Sequence, residues 1–325
     1  MISTVENTRL LKLMVRGSYD LQALRIQAGL RLCANFRAKL TTDDETIDEE
    51  TGELSDKAIK VIDELKASYG RLTDGVAKNR RLPTEQGFTG DELISEYTEL
   101  MLVDQYLVLE SQEKKQFSQL IHVLDRIPIY TQYLSDVRGV GPAMAAVLIT
   151  HLDPHKARHV SSFWKYGGLD VGPDGAGRSR RDEHLVDREY EDKNGKMAMR
   201  RSVTYNPFLK TKLVGVLGPS FLRSNSPWRQ AFDGYRHRIN SDPGRIKISV
   251  GEWKKLNAAD DSDVRNIWTP GRIKNAAVRY MVKQFLADLW VTWRRLEGLP
   301  VTESYAVGKL GMNTHGGGPV SEAAE

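Results

Sequence analysis

Between Val137 and Leu152 the chain reads VRGVGPAMAAVLITHL, and its chemistry lies in the spacing of Gly139, Gly141 and Pro142. Glycines on either side of Val140 supply backbone angles that other residues adopt at a cost. Pro142 suits the first turn of a helix, where its missing N–H would have no partner. The first amides of such a helix lack intrahelical acceptors and sit at the positive end of its dipole. A phosphate oxygen satisfies both conditions, so Arg138, Gly139, Val140 and Gly141 read as a contact with a nucleic-acid backbone. Val140 is expected to point inward and pin the turn. Ala143, Ala145 and Ala146 are small enough for two helices to pack closely, and Arg138 adds a charge beside them. The plainer alternative is a glycine-rich turn between core helices, since Gly-x-Gly alone is a weak motif. Contact of this kind reads backbone and not base sequence.

A second basic group follows. GPDGAGRSRRDEH (172–184) places Arg178, Arg180 and Arg181 in a glycine-rich loop, and KMAMRRSVTYNPFLKTK adds Lys196, Arg200, Arg201, Lys210 and Lys212. Basic loops and hairpins suit phosphate contacts, which release counterions. Asp182, Glu183, Asp187 and Glu189 intervene, so a mixed-charge solvated flap is the competing reading. Ser179 is the hydroxyl in this loop, and Ser202 is a second candidate. No base is evident beside Ser179, and a lone serine is usually a polar surface residue.

Composition bounds the rest. With 40 % apolar and 28 % charged residues, a globular protein with a sizeable core is expected. A formal net charge of +4 permits an anionic partner without demanding one. Cys33 is the single cysteine, which excludes an intramolecular disulfide and a cysteine-rich metal site. The seven histidines show no ligand spacing, so no metal or cofactor is expected. The start, MISTVENTRLLKLMVRG, lacks the pattern of a secretory signal, and no apolar run is long enough to span a membrane. A cytoplasmic location is the expectation.

Apolar periodicity predicts the elements that position these residues. Residues 5–40 read as a basic-faced helix with Leu10, Leu13, Met14, Leu21, Leu24, Ala28 and Leu32 as its stripe, weakened at Gly17 and Gly29. The acidic stretch 41–56 reads as a solvated loop, 56–79 as a helix and 78–90 as a linker. Residues 91–124 contain no Gly or Pro and read as one long amphipathic helix, packed on its own domain or in an antiparallel or intermolecular coiled coil. A polar break at Ser111 to Lys114 favours a second copy, hence a homodimer. Helices are expected at 128–136, from Pro142, at 161–168, from Asn206-Pro207, at 226–240 and at 269–298, with 241–270 irregular. Ala277, Tyr280, Met281, Phe285, Leu289 and Trp293 are the buried stripe of the last helix. Asn194-Gly195 between two partly alternating runs marks a β-hairpin. The expected fold is mainly α, with a helical N-terminal region (1–90), a long helix (91–124), a helix-hairpin-helix domain carrying a small β-hairpin (125–298) and a flexible tail (299–325).

The ordered set VRGVGPAMAAVLITHLDPHKARHVSSFWKYGGL, VTYNPFLKTKLVGVL, SPWRQAFDGYRHRI and GRIKNAAVRYMVKQFLADLW resembles the C-terminal transposase domain of DEDD-type, bridge-RNA-guided insertion-sequence transposases. The resemblance covers residues 125–295, about half the chain. It implies DNA as partner and a nucleophilic serine in the loop after Gly168-Leu169, where Ser179 stands in a displaced register. Two features depart from that family. Residues 1–124 show no strand opening a RuvC-like domain, and the carboxylates at 43–56 lie in one loop, which cannot preorganise a metal site. The expectation is therefore a DNA-binding protein without cleavage activity of its own. The alternatives are an active serine-type recombinase, for which Mg²⁺ would enter, and an RNA- or protein-binding scaffold.

Overall fold

The computed structural model describes residues 4–40, 46–48, 52–73, 82–172, 177–257 and 267–302. The chain divides into two compact units between Leu124 and Asp125. It is mainly helical, with a small antiparallel hairpin. No helix among the described residues is long and apolar enough to cross a membrane.

The first unit holds α1 (Thr4–Leu40), α2 (Asp56–Leu72) and α3 (Tyr97–Leu124). Helix α1 runs unbroken through Gly17 and Gly29, although each glycine costs roughly 1 kcal/mol of helix propensity. Both are places of close approach. A Cβ on Gly17 would collide with the Gln116 amide nitrogen, and one on Gly29 would lie 2.6 Å from Leu54 Cδ1. The stripe of α1 differs from the expected one. Leu11, Val15, Ala28, Leu32, Cys33 and Phe36 are buried, whereas Leu10, Leu13 and Leu24 are exposed. The choice falls to the partner helix: α3 pairs antiparallel with α1, through Arg25–Glu113 and through Lys39–Glu99 at 2.6 Å.

Helix α3 begins at Tyr97, six residues after the expected start at Asp91. The Asp91 carboxylate accepts from the Leu93 and Ile94 amides at 3.0 and 2.7 Å and holds that stretch in a turn. The polar break is filled from within the unit. Glu110 meets Lys66 of α2 at 2.7 Å, and Glu113 meets Arg25 of α1. Leu100, Val103 and Tyr106 are buried in the same core as α1 and α2, and Leu93, Tyr97 and Leu107 pack against it partly buried. In the acidic stretch, 41–45 and 49–51 lie outside the described residues. What is described is not simply solvated. Ile47 bridges Leu54, Leu54 is buried, and Glu53 binds Arg25 at 2.8 Å.

The second unit is assembled on one long helix. Its helices are α4 (Pro128–Thr131), α5 (Pro142–His151), α6 (Val160–Tyr166), α7 (Pro207–Thr211), α8 (Gly218–Arg223), α9 (Arg229–Ser241), α10 (Val250–Asn257) and α11 (Pro270–Leu296), with a π-helical turn joining α7 to α8. Helix α11 packs against α4, α6, α8, α9 and the π-helical turn. Thr269 caps it by accepting from the Arg272 amide at 3.3 Å, and Pro270 follows at its first turn. Ala277, Met281, Phe285, Leu289 and Trp293 are buried along it, and Tyr280 is partly buried. Strands β1 (Leu185–Glu191) and β2 (Met197–Val203) form the hairpin, with Gly195 at φ +76° in its turn.

Three expectations change here. The helix over 128–136 is broken, because Tyr133 leaves the helical region (φ −147°, ψ −62°) and a 3₁₀ turn follows, which buries Leu134. Residues 241–270 are more ordered than their composition suggested. They contain α10 and a two-residue parallel pairing of β3 (Ile246–Lys247) with β4 (Ile267–Trp268), while 258–266 lie outside the described residues. The tail is docked at its start: Thr302 Oγ1 donates to the Arg158 carbonyl at 3.0 Å, and 303–325 lie outside the described residues.

Candidate nucleic-acid interface

The glycine turn separates its two glycines by role. Gly139 has φ +94°, and a Cβ there would lie 2.6 Å from Ser224 Oγ and 2.8 Å from Phe221 Cδ1. Its carbonyl accepts from Ser220 Oγ at 2.8 Å, so Gly139 seats the turn on α8. Val140 is buried, and its amide donates to the Val137 carbonyl at 3.0 Å. Gly141 is exposed at φ −81° and ψ 168°, angles open to any residue, and a Cβ there would meet nothing within 4 Å. Among the described residues no side chain caps the start of α5, which stands beside the exposed Arg138. An open cleft of about 660 Å³ adjoins the turn, lined in part by Tyr133, Arg138, Asn225, Trp228, Arg229 and Asp233.

The basic residues of the second group do not act alike. Arg178 pairs with Asp170 at 3.0 Å, and its carbonyl accepts from Lys210 Nζ. Lys210 also lies over the Tyr205 ring at 4.4 Å. Burial first, and then the neighbouring Arg279, pull the Lys210 ammonium down to about 8, against the opposing effect of Asp170. Arg201 clamps the base of the hairpin, binding the Asp182 carbonyl at 2.7 Å and its carboxylate at 3.2 Å. Lys212 lies 5.7 Å from the Phe208 ring centre and Arg200 5.3 Å from that of Tyr190. Arg180, Arg181 and Arg200 are exposed. Residues 173–176 of the loop lie outside the described residues.

Ser179 is not a lone hydroxyl. Its Oγ lies 3.0 Å from His184 Nδ1, and His184 is only 1 % exposed. The Ser179 amide donates to that same nitrogen at 3.0 Å, so the amide and the hydroxyl share Nδ1. Arg181 donates to Ser179 Oγ through Nε at 3.1 Å. A five-residue spacing in a loop carries no periodic signal, which is why this pair was not legible. Ser202 Oγ sits at 3.4 Å from the Arg200 carbonyl, with no base beside it among the described residues.

Sequence reasoning also missed the cations of α11. Arg272, Arg279 and Lys283 are spaced at seven and four residues, hence on one face, and each is partly buried. Trp268 receives two guanidinium groups, Arg245 at 4.4 Å and Arg272 at 4.5 Å from its ring centre. Their spacing of seven and four residues along the helix was the available clue. Among the described residues, no three His, Cys, Asp or Glu side chains group as a metal site. Compared with known proteins, the chain matches no family model, no curated protein and no solved structure.

Proposed function

We propose that the second unit binds nucleic acid, with duplex or branched DNA as the principal partner, through its phosphate backbone. One observation carries this reading. The uncapped start of α5 is left open at Gly141, beside exposed Arg138, in a turn whose strained position is taken up by Gly139. Such an end offers amide donors and a positive dipole to one phosphate. Arg180, Arg181 and Arg200 are further exposed donors on the same unit. The resemblance to the transposase C-terminal domain agrees with DNA as the partner. The test is fluorescence anisotropy with a labelled duplex. Affinity should fall with salt by about 0.9 log units per log unit of salt for each phosphate contacted. Gly141→Val, whose Cβ would meet no atom within 4 Å, should weaken binding about tenfold, roughly 1.4 kcal/mol, with the helical content unchanged. Equal affinity in the folded variant would falsify the turn assignment, and salt-independent binding would favour the protein-scaffold reading.

A second reading, serine-type strand transfer, is favoured by the Ser179–His184 contact. It is opposed by the amide that shares Nδ1, which leaves the imidazole a poor base for the hydroxyl. We expect no covalent protein–DNA adduct with supercoiled DNA and Mg²⁺. An adduct that disappears in Ser179→Ala would establish the second reading instead.

A further inference from the structure

The cleft beside the glycine turn has a chemistry different from that of the turn. Its volume of about 660 Å³ lies in the range of sites that enclose a small ligand or a single base. Three places in the second unit build its walls. The 3₁₀ turn after α4 and the residue before it supply Asp136 and Tyr133. The end of α8 supplies Asn225, and α9 with the residue before it supplies Asp233 and Trp228. Arg138 lines the same cleft and immediately precedes Gly139, so one residue belongs to both the cleft and the turn.

Two aromatic side chains, Tyr133 and Trp228, line the cleft, and both are half-buried. The indole of Trp228 is held in place. It stacks on Phe221 at 5.2 Å, meets Phe285 edge-on at 5.0 Å and donates through Nε1 to Asp288 at 2.6 Å. A ring fixed in this way loses little freedom when a second flat ring stacks on it. Burial first, and then Asp288, raise the Tyr133 phenol above its ordinary value, so its hydroxyl keeps its proton and can donate. Asn225 returns the chain after α8 at φ +49°, the one positive φ outside glycine among the described residues. Glycine holds such an angle at least cost, so what asparagine adds is its amide, with one acceptor and two donors. That amide is exposed and has no hydrogen bond among the described residues. Asp136 accepts from Ser135 Oγ at 3.3 Å, and Asp233 lies 3.6 Å from Arg229, through one oxygen each. The second oxygen of each carboxylate remains for an amino group of a ligand. Ser226, on the same wall, is 3 % exposed, and its Oγ has no hydrogen-bond partner among the described residues. The lining thus combines flat apolar surface with acceptors and donors for a neutral polar ring, and its carboxylates disfavour a phosphate inside.

We infer that this cleft receives one unstacked base of the DNA bound at the glycine turn, and favours a base with an exocyclic amino group, adenine or cytosine, over thymine. The inference rests on the phosphate contact proposed at Gly141 and adds to it what is taken from the bases. The base stacks on the aromatic wall, its amino group donates to Asp136 or Asp233, and the Asn225 amide meets its edge. A paired duplex supplies such a base only by breaking a pair, whereas a bulge presents one at lower cost.

Fluorescence anisotropy of the full chain at one salt concentration tests the cleft. Four DNAs are compared: a fully paired duplex, and the same duplex with a single bulged adenine, bulged thymine or bulged abasic site. The bulged adenine should bind about tenfold more tightly than the paired duplex, and the abasic bulge should lose that gain. Asn225→Gly keeps the backbone angle and removes the amide. It should reduce the gain, measured against the paired duplex with the same variant, to about threefold or less. Asp233→Ala, an exposed change that favours the helix, is read in the same way if Asn225→Gly does not fold. Equal affinity for bulged and paired duplexes overturns the base site. So does a gain that survives at the abasic bulge, which reports a flexible backbone, or one unchanged in the folded variants. A gain shared by thymine overturns the amino-group preference. The paired duplex reports the turn by itself, and Gly141→Val should weaken all four DNAs alike while keeping their ratios. Salt-dependent binding without a bulge preference therefore retains the turn and removes the cleft, and binding of none of the four removes both.

Discussion

Gly139→Val is expected to destabilise the second unit by about 3–5 kcal/mol, against less than about 1 kcal/mol for Gly141→Val. Two effects add at position 139. At φ +94° a β-branched residue is a backbone outlier. Its Cβ would also drive into Ser224 Oγ and Phe221. Phe221 cannot retreat, because it stacks on Trp228 at 5.2 Å and meets Phe285 edge-on at 5.1 Å. Movement of the turn would then break the bond from Ser220 to the Gly139 carbonyl. At position 141 the backbone is extended and the space beyond is open. All six tryptophans lie beyond residue 124, so denaturant unfolding followed by their fluorescence reports the second unit alone. Equal losses at the two positions would mean that the turn is not seated on α8 as described. The contrast also governs the binding experiments. Lost DNA affinity in a Gly139 variant would report misfolding, whereas lost affinity in Gly141→Val would report contact.

Arg294→Met should cost about 3 kcal/mol, and Arg294→Lys somewhat less. Arg294 is only 4 % exposed and stands in the last turn of α11. Its guanidinium donates to the carbonyls of Pro154, of Ala157 at 3.0 Å and of Pro300 at 2.8 Å. Trp290 Nε1 donates to the same Ala157 carbonyl at 2.8 Å. One side chain thus ties the segment after α5 and the segment after α11 to α11 itself. Methionine fills the volume but removes these donors: the Ala157 carbonyl keeps its bond from Trp290, while the carbonyl of buried Pro154 is left unsatisfied, at about 1–3 kcal/mol. Lysine restores the charge but cannot fork between two segments. A shift in the fluorescence-detected urea midpoint measures the loss. A variant as stable as the wild type would show that water satisfies these carbonyls equally well, and that Arg294 does not hold the two segments.

The sequence by itself determined where the capped helices α7 and α11 start and where the hairpin reverses. Asn206-Pro207 and Thr269-Pro270 mark helix starts because a side-chain oxygen before a proline satisfies the first amides, an interaction complete within four residues. Asn194-Gly195 marks the hairpin because a tight turn needs a positive φ, and Gly195 supplies it. The apolar stripe of α11 was legible because its helix is surrounded by partners on that face. In α1 the same periodicity pointed to Leu10, Leu13 and Leu24, which are exposed. The face that is buried there was chosen by α3, far along the chain. Tertiary structure likewise decided which glycine of the turn is strained, since only contact with α8 distinguishes Gly139 from Gly141. It also decided that Ser179 meets His184, and that Arg178 and Lys210 face inward while cations of α11 gather with Arg181 and Arg245. Backbone preference and capping act over a few residues and leave their mark in local order. Packing and Coulomb interaction act through space, and join residues whose order along the chain says nothing of their distance.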